Sequence, residues 1–208
     1  YAHKLPANLD MAAMAPLLCA GITTYSPLKK WKVGPGSRVA VAGLGGLGHM
    51  AVKFAVALGA TVTVLSHSDA KESDARAFGA TDFIDTSKTD WHLGYQKSFD
   101  LILNTVSAHI DLEPYLSTLA TDGSLIVIGV PSEPFNISAG SLLDGRRSVS
   151  GSLIGGIPQT QEMLDFCGAN NIVSEVEVIS ADYINQAYDR TVASDVRYRF
   201  VIDCSTFY

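Results

Sequence analysis

The stretch Arg38-Val39-Ala40-Val41-Ala42-Gly43-Leu44-Gly45-Gly46-Leu47-Gly48 decides the fold. Its first five residues form a short apolar run set off upstream by Gly34-Pro35-Gly36, the pattern of a buried strand bounded by turn residues. The glycines after it predict a tight turn. Leu47, Met50, Ala51, Phe54 and Leu58 then recur on one helical stripe up to Gly59, which predicts a helix closed by a glycine. A further strand is expected over 61–65. Strand, glycine turn, helix and strand together make the unit that binds a dinucleotide. Gly43 permits the turn, Gly45 and Gly46 remove side chains where a pyrophosphate must approach backbone N–H groups, and Gly48 allows close helix packing. The anion would lie at the helix N-terminus, where N–H groups without partners and the positive end of the dipole favour it. A glycine turn that only brings a helix close to a strand is the competing reading, and the strand–helix–strand context weighs against it.

Outward from this unit the alternation continues. A helix is expected over 69–78, capped by Gly79, with strands around Phe83 and Ile84, at 101–103, 125–130 and 149–154, and a helix over 112–119. Strands alternating with helices of about ten residues give an α/β fold, a Rossmann-type, doubly wound parallel sheet. Upstream, residues 10–30 read as mostly helical, with Pro16 where a helix can begin and Pro27 where it should kink or end. After Pro158 the rhythm changes to helix, strand at 176–179, helix at 183–191 and strand at 199–202.

The end of the second strand selects between NAD and NADP, because an acidic residue there accepts from the ribose hydroxyls and repels a 2′-phosphate. This chain has Ser66-His67-Ser68, with Lys71 in reach of the same pocket. Two hydroxyls, an imidazole and an ammonium can donate to phosphate oxygens, so NADP(H) is favoured. Alternatively, Ser68 caps the next helix and Lys71 lies on a solvated face beside Asp69, Glu72 and Asp74.

The chain has 208 residues, 47% hydrophobic and 17% charged, enough for one full core. A net charge of −6 gives no basic stripe for nucleic acid, and no apolar run reaches the roughly 18–20 residues of a membrane span. A cytoplasmic protein is expected. Cys19, Cys167 and Cys204 are odd in number and form no CxxC pair, which speaks against a disulfide framework or a complete cysteine zinc site. The five histidines show no ligand spacing; His3, His92 and His109 read as surface or core residues. The start at Tyr1-Ala2-His3-Lys4-Leu5-Pro6 reads as the middle of a domain and suggests a fragment.

The segment from Ala15 through Cys19, Thr23 and Pro27 to Leu28 resembles zinc-dependent medium-chain alcohol dehydrogenases, particularly the cinnamyl alcohol dehydrogenase branch. The resemblance continues through Gly43-Leu44-Gly45-Gly46-Leu47-Gly48-His49-Met50 to Asp195-Val196-Arg197-Tyr198-Arg199-Phe200-Val201, covering nearly the whole chain. It implies that Cys19 ligates a catalytic zinc and that Thr23, one helical turn on, lies beside the cofactor. It makes the whole turn, Leu44 and Leu47 included, a cofactor contact. It also implies that Thr105 contacts the nicotinamide ribose, that Gly129 lies near the nicotinamide, and that Ser152, Leu153 and Ile154 offer main-chain groups to the carboxamide. Ordinary strand-end chemistry is the alternative at each of these positions. Arg199 reads as a surface or interdomain residue rather than a cofactor ligand. A catalytic zinc needs three protein ligands, and the resemblance places the others in an N-terminal domain that this sequence does not contain.

The expected organisation is a remnant of a catalytic domain over 1–19, an NADP(H)-binding domain over 20–157, and a segment over 158–208 that belongs to or packs on the catalytic domain. The function implied by the resemblance is hydride transfer between NADPH and an aldehyde or primary alcohol, with zinc as Lewis acid and with little or no turnover by the fragment alone. Two rivals stay open: a zinc-free NADPH quinone or enone reductase of the same superfamily, and a non-catalytic nucleotide-sensing module. A homodimer is expected through the sheet edge near 149–154.

Overall fold

Residues 2–207 are described by the structure, a computed structural model. Tyr1, on which the reading of an interior start rests, lies outside the described residues. Six strands form one parallel sheet: β1 (Arg38–Ala42), β2 (Thr61–Ser66), β3 (Asp82–Asp85), β4 (Phe99–Asn104), β5 (Leu119–Val127) and β6 (Ser148–Gly151), in the spatial order β3-β2-β1-β4-β5-β6. This is the doubly wound arrangement expected from the alternation. The chain leaves β1 in one direction and returns to β4 on its other side, which opens a crevice at the carboxyl ends of the two strands.

Alternation along β1 explains the layers. Val39 and Val41 join one apolar cluster with residues of α2 (Ala20–Lys30), α3 (Gly48–Ala57) and α7 (Ile157–Asn170). Ala40 and Ala42 point to the opposite face and pack with Leu112, Tyr115 and Leu116 at α5 (Glu113–Thr118). A strand buried on both faces must be apolar throughout, as this one is. The shorter helices are α1 (Met11–Met14), α4 (Glu72–Ala77) and α6 (Ala139–Leu143).

Residues 10–30 are helical, with differences from expectation. The stretch is a bent pair, Met11–Leu18 and Ala20–Lys30, turned by 55° at Cys19. Pro27 does not end α2, which runs on to Lys30. Its missing N–H leaves the Thr23 carbonyl without a helical donor, but Tyr25, Pro27 and Leu28 are buried and hold the last turn in place. Among the described residues no single helix is long and apolar enough to cross a membrane. The bent pair passes on length and composition, yet Leu17, Ala20, Tyr25 and Leu28 are nearly inaccessible in the core.

Elsewhere the boundaries shift. The helix expected over 69–78 is a 3₁₀ turn, Asp69–Lys71, followed by α4. β5 begins at Leu119 rather than 125 and ends at Val127 rather than 130. β6 ends at Gly151, so Ser152, Leu153 and Ile154 lie outside the strand assigned to them, with Ile154 at positive φ. The tail follows its predicted rhythm. β7 (Val176–Ile179), α8 (Ile184–Val192) and β8 (Arg199–Ile202) form a small βαβ unit with its own two-stranded parallel sheet. Lys53 of α3 anchors it, donating to the Val173 carbonyl at 2.8 Å and to Glu175 at 2.6 Å.

Candidate functional site

The strand ends at the crevice are level: Ala42 pairs with Leu65 on one side and Asn104 on the other. Gly43 leaves β1 with φ +87°, a conformation that side chains rarely adopt, and its N–H donates to the Leu65 carbonyl at 2.8 Å. The turn closes so tightly that a Cβ on Gly48 would collide with the Gly43 carbonyl. Gly48 therefore serves close packing, as expected.

The carbonyls of the turn are tied back one after another. Gly43 O accepts from the Thr105 hydroxyl at 3.2 Å, Leu44 O from Lys71 Nζ at 3.1 Å, Gly45 O from His49 Nδ1 at 3.1 Å and Gly46 O from Arg199 Nε at 3.2 Å. The N–H groups of Leu44, Gly45, Gly46 and Leu47 donate to no protein acceptor among the described residues. Carbonyls saturated and N–H groups free is the polarity an anion requires.

Two cavities meet at this turn. One, about 460 Å³, lies between the turn and the C-terminal unit, lined by Gly43, Gly45, Gly46, Leu47, Lys71 and Thr105 together with Ser194, Tyr198 and Arg199. The other, about 940 Å³, runs from the turn across Leu44, Ser66, His67, Ser68 and Lys71 to Lys88, Trp91, Ile110 and Tyr115. Lys71 lines both. Burial, with Arg197 adding to it, holds its ammonium below the usual lysine range, and the Asp74 carboxylate opposes that shift.

Ten of the residues singled out in the sequence are thus brought together: Gly43 to Leu47, Ser66, His67, Ser68, Lys71 and Thr105. The competing reading of Ser68 also holds, since its Oγ accepts from the Ala70 N–H and caps the 3₁₀ turn. Ser66 Oγ donates to the Ser68 carbonyl at 3.0 Å. Lys71 is not on a solvated face; it reaches back to the turn.

The remaining residues lie apart from the two cavities. Thr23 is buried in α2. A Cβ on Gly129 would collide with the Val106 carbonyl, so this glycine lets the ends of β4 and β5 approach each other. Ser152 donates its N–H to the Val127 carbonyl at 3.1 Å, while Leu153 and Ile154 are exposed. Cys19 is an exposed free thiol, and among the described residues no three His, Cys, Asp or Glu side chains are grouped to hold a metal. One thiolate falls short of the three protein donors of a catalytic zinc, so these residues do not by themselves fit that ion.

Arg199, read as a surface or interdomain residue, reaches from the C-terminal segment onto the glycine turn, where a Cβ on Gly46 would come within 2.5 Å of its Nε. Its neighbour Tyr198 carried no role of its own in the sequence reading, and neither did Trp91 or Tyr115. An arginine 153 positions from the turn carries no local signal of its destination.

His49 is fully buried. A carbonyl only accepts, so Nδ1 carries the proton toward Gly45, and Nε2 accepts from the Ser174 hydroxyl at 2.9 Å and the Glu175 N–H at 3.3 Å. Burial brings its pKa down to about 4, and the charges of Lys53 and Arg199 act in the same direction. This neutral imidazole links the turn to the C-terminal unit.

The sequence model of a family described as zinc-binding dehydrogenase matches residues 46–169. NADP-dependent alcohol dehydrogenase C 1 of Mycolicibacterium smegmatis is 55% identical over 99% of this chain, which spans 59% of that relative's length. A cinnamyl alcohol dehydrogenase structure from Sorghum bicolor superposes with a TM-score of 0.95 at 41% identity, covering 98% of this chain and 58% of that one. The structure of CAD from Helicobacter pylori complexed with NADP(H) gives 0.89 at 41% identity, with the same coverage.

Proposed function

The chain belongs to the zinc-binding dehydrogenase family, and from that premise we propose that it is the NADP(H)-binding part of an alcohol dehydrogenase or aldehyde reductase. The observation that carries the reading is the turn from Gly43 to Gly48: the N–H groups of Leu44 to Leu47 face no protein acceptor among the described residues, while the carbonyls of Gly43 to Gly46 are held by Thr105, Lys71, His49 and Arg199. A diphosphate fits there. Ser66, His67 and Lys71 line the adjoining cavity where an acidic residue would mark an NAD site, which favours a 2′-phosphate. Trp91, Ile110 and Tyr115 give that cavity an apolar wall suited to an adenine ring.

The nicotinamide, when bound, supplies the hydride that is exchanged with an aldehyde or primary alcohol. What this chain's residues do is bind and orient. Turn N–H groups fix the diphosphate, Lys71 neutralises a phosphate, and Thr105, on a strand end beside the turn, stands where a ribose would pass. Cys19 is one thiolate donor toward the family's metal, and no step is assigned to it. Pairing of two copies through β6 is part of the same proposal; it is supported by the edge position of that strand and by Leu153, 76% exposed just beyond it.

The test is titration of the chain with NADPH and with NADH, in the parent and in Ser66→Asp and Lys71→Glu. The parent should prefer NADPH, and each variant should lose about tenfold or more of that preference. Equal affinities in the parent, or unchanged NADPH binding in both variants, would refute the assignment.

A further inference from the structure

Lys71 is held from two sides. Its Nζ donates to the Leu44 carbonyl at 3.1 Å, and the same atom lies 5.4 Å from the centre of the Tyr198 ring. An ammonium has three protons, and the two not spent on Leu44 have no protein acceptor among the described residues. Tyr198 is itself immobilised. Its ring stacks on His49 at 5.0 Å and 13°, and meets Phe78 edge-on at 5.6 Å. Its hydroxyl donates to Asp74 Oδ2 at 2.5 Å, and its N–H donates to the Glu175 carbonyl at 3.1 Å. With only 3% of its surface exposed, the ring has no other place to go.

We infer that Tyr198 is a specificity-determining positioning residue, which holds the Lys71 ammonium over its ring face in the cleft, where two free N–H groups meet a 2′-phosphate. This rests on the NADP(H) reading above. A lysine carries four rotatable bonds, and a cation restrained by a carbonyl and a π face loses less freedom when a phosphate arrives than one free in solvent. The ring does not neutralise the charge as a carboxylate would; Asp74, the acid at hand, is occupied by the Tyr198 hydroxyl and by Arg197 at 3.1 Å. Because Tyr198 belongs to the segment leading into β8, the C-terminal unit takes part in choosing the cofactor.

The experiment compares NADPH and NADH affinities of this chain with those of Tyr198→Met, Tyr198→Phe, Lys71→Ala and the double variant Lys71→Ala/Tyr198→Met, with thermal unfolding to check the fold. Tyr198→Met fills the same slot without a π face, and should lower NADPH affinity about three- to tenfold while NADH stays within about twofold. Tyr198→Phe keeps the ring and should retain most of the preference. The double variant should bind NADPH no more weakly than Lys71→Ala alone. Equal loss for both cofactors, or an undiminished effect of Tyr198→Met without Lys71, overturns the inference. In the unmutated chain, the Lys71 ε-methylene resonance should be shifted upfield by the ring and stay so with NADPH bound. Its return to the solvent value on binding would mean that the lysine leaves the ring, which also overturns the inference. If Lys71→Ala leaves NADPH affinity unchanged, the phosphate reading itself has failed, separately from Tyr198.

Discussion

Arg199 and Gly46 meet across 153 positions of sequence, the guanidinium Nε donating to the glycine-turn carbonyl at 3.2 Å. The contact fixes the turn that would receive the part common to both cofactors. Arg199→Ala is therefore expected to weaken NADPH and NADH together, about tenfold each, as loss of a charge-assisted hydrogen bond does. Isothermal titration with both cofactors checks this, and a loss confined to NADPH would contradict it.

Gly48 and Gly45 should respond oppositely to alanine. A Cβ at Gly48 runs into the Gly43 carbonyl, whereas one at Gly45 meets nothing within 4 Å. Gly48→Ala should lose about 2–3 kcal/mol of stability in urea unfolding, the size of a backbone overpacking penalty. Gly45→Ala should unfold like the parent yet bind either cofactor more weakly, because its methyl occupies the approach to the free N–H groups. If Gly45→Ala proves the less stable of the two, the packing account is wrong.

His49 should give stability a pH dependence of known sign. Its pKa is about 4 in the folded chain and near 6.5 when unfolded. Between these values the unfolded state binds the extra proton, so stability rises with pH. The contribution is fully present above about 6.5 and is lost as pH falls toward 4, amounting to about 3 kcal/mol across the window. Lys53 and Arg199 oppose protonation and Glu175 favours it, while the Tyr198 ring packs on the imidazole. Denaturant unfolding from pH 7 to 4 should show this slope in the parent and a shallower one in His49→Gln. Identical slopes would exclude His49 as the source.

The three thiols should divide two to one. Cys19 and Cys204 are exposed, while Cys167 is buried beside Met163, and burial raises its pKa to about 12. An aromatic disulfide reagent at neutral pH should modify two thiols in the native chain and the third only in denaturant. Rapid modification of all three would show that α7 opens.

Much of the core was legible because its signals are local. Strand β1 announces itself by Val39 to Ala42 between two glycine clusters, and α3 by its apolar stripe and Gly59. Gly43 and Gly48 could be assigned from the motif alone, since a positive φ and a close backbone approach are demands that glycine meets. The errors fall where local signals compete with burial. Pro27 reads as a kink or an end, and of these the end does not occur, because the apolar side chains around it carry the helix on to Lys30. Residues 149–154 read as one strand because Val149 and Ile154 are β-branched, yet pairing with β5 ends at Gly151.

By itself, then, the sequence determined the parallel sheet, the glycine turn and the serine and lysine character of the neighbouring pocket, all of which follow from residues within a few turns of one another. Only the tertiary structure decided that Arg199, His49 and Lys71 each take a separate carbonyl of that turn, and that Tyr198 packs against two of them. The Arg199 and Tyr198 contacts join segments more than 100 residues apart, and their formation depends on how α3 and β8 dock, which no periodicity or spacing along the chain records.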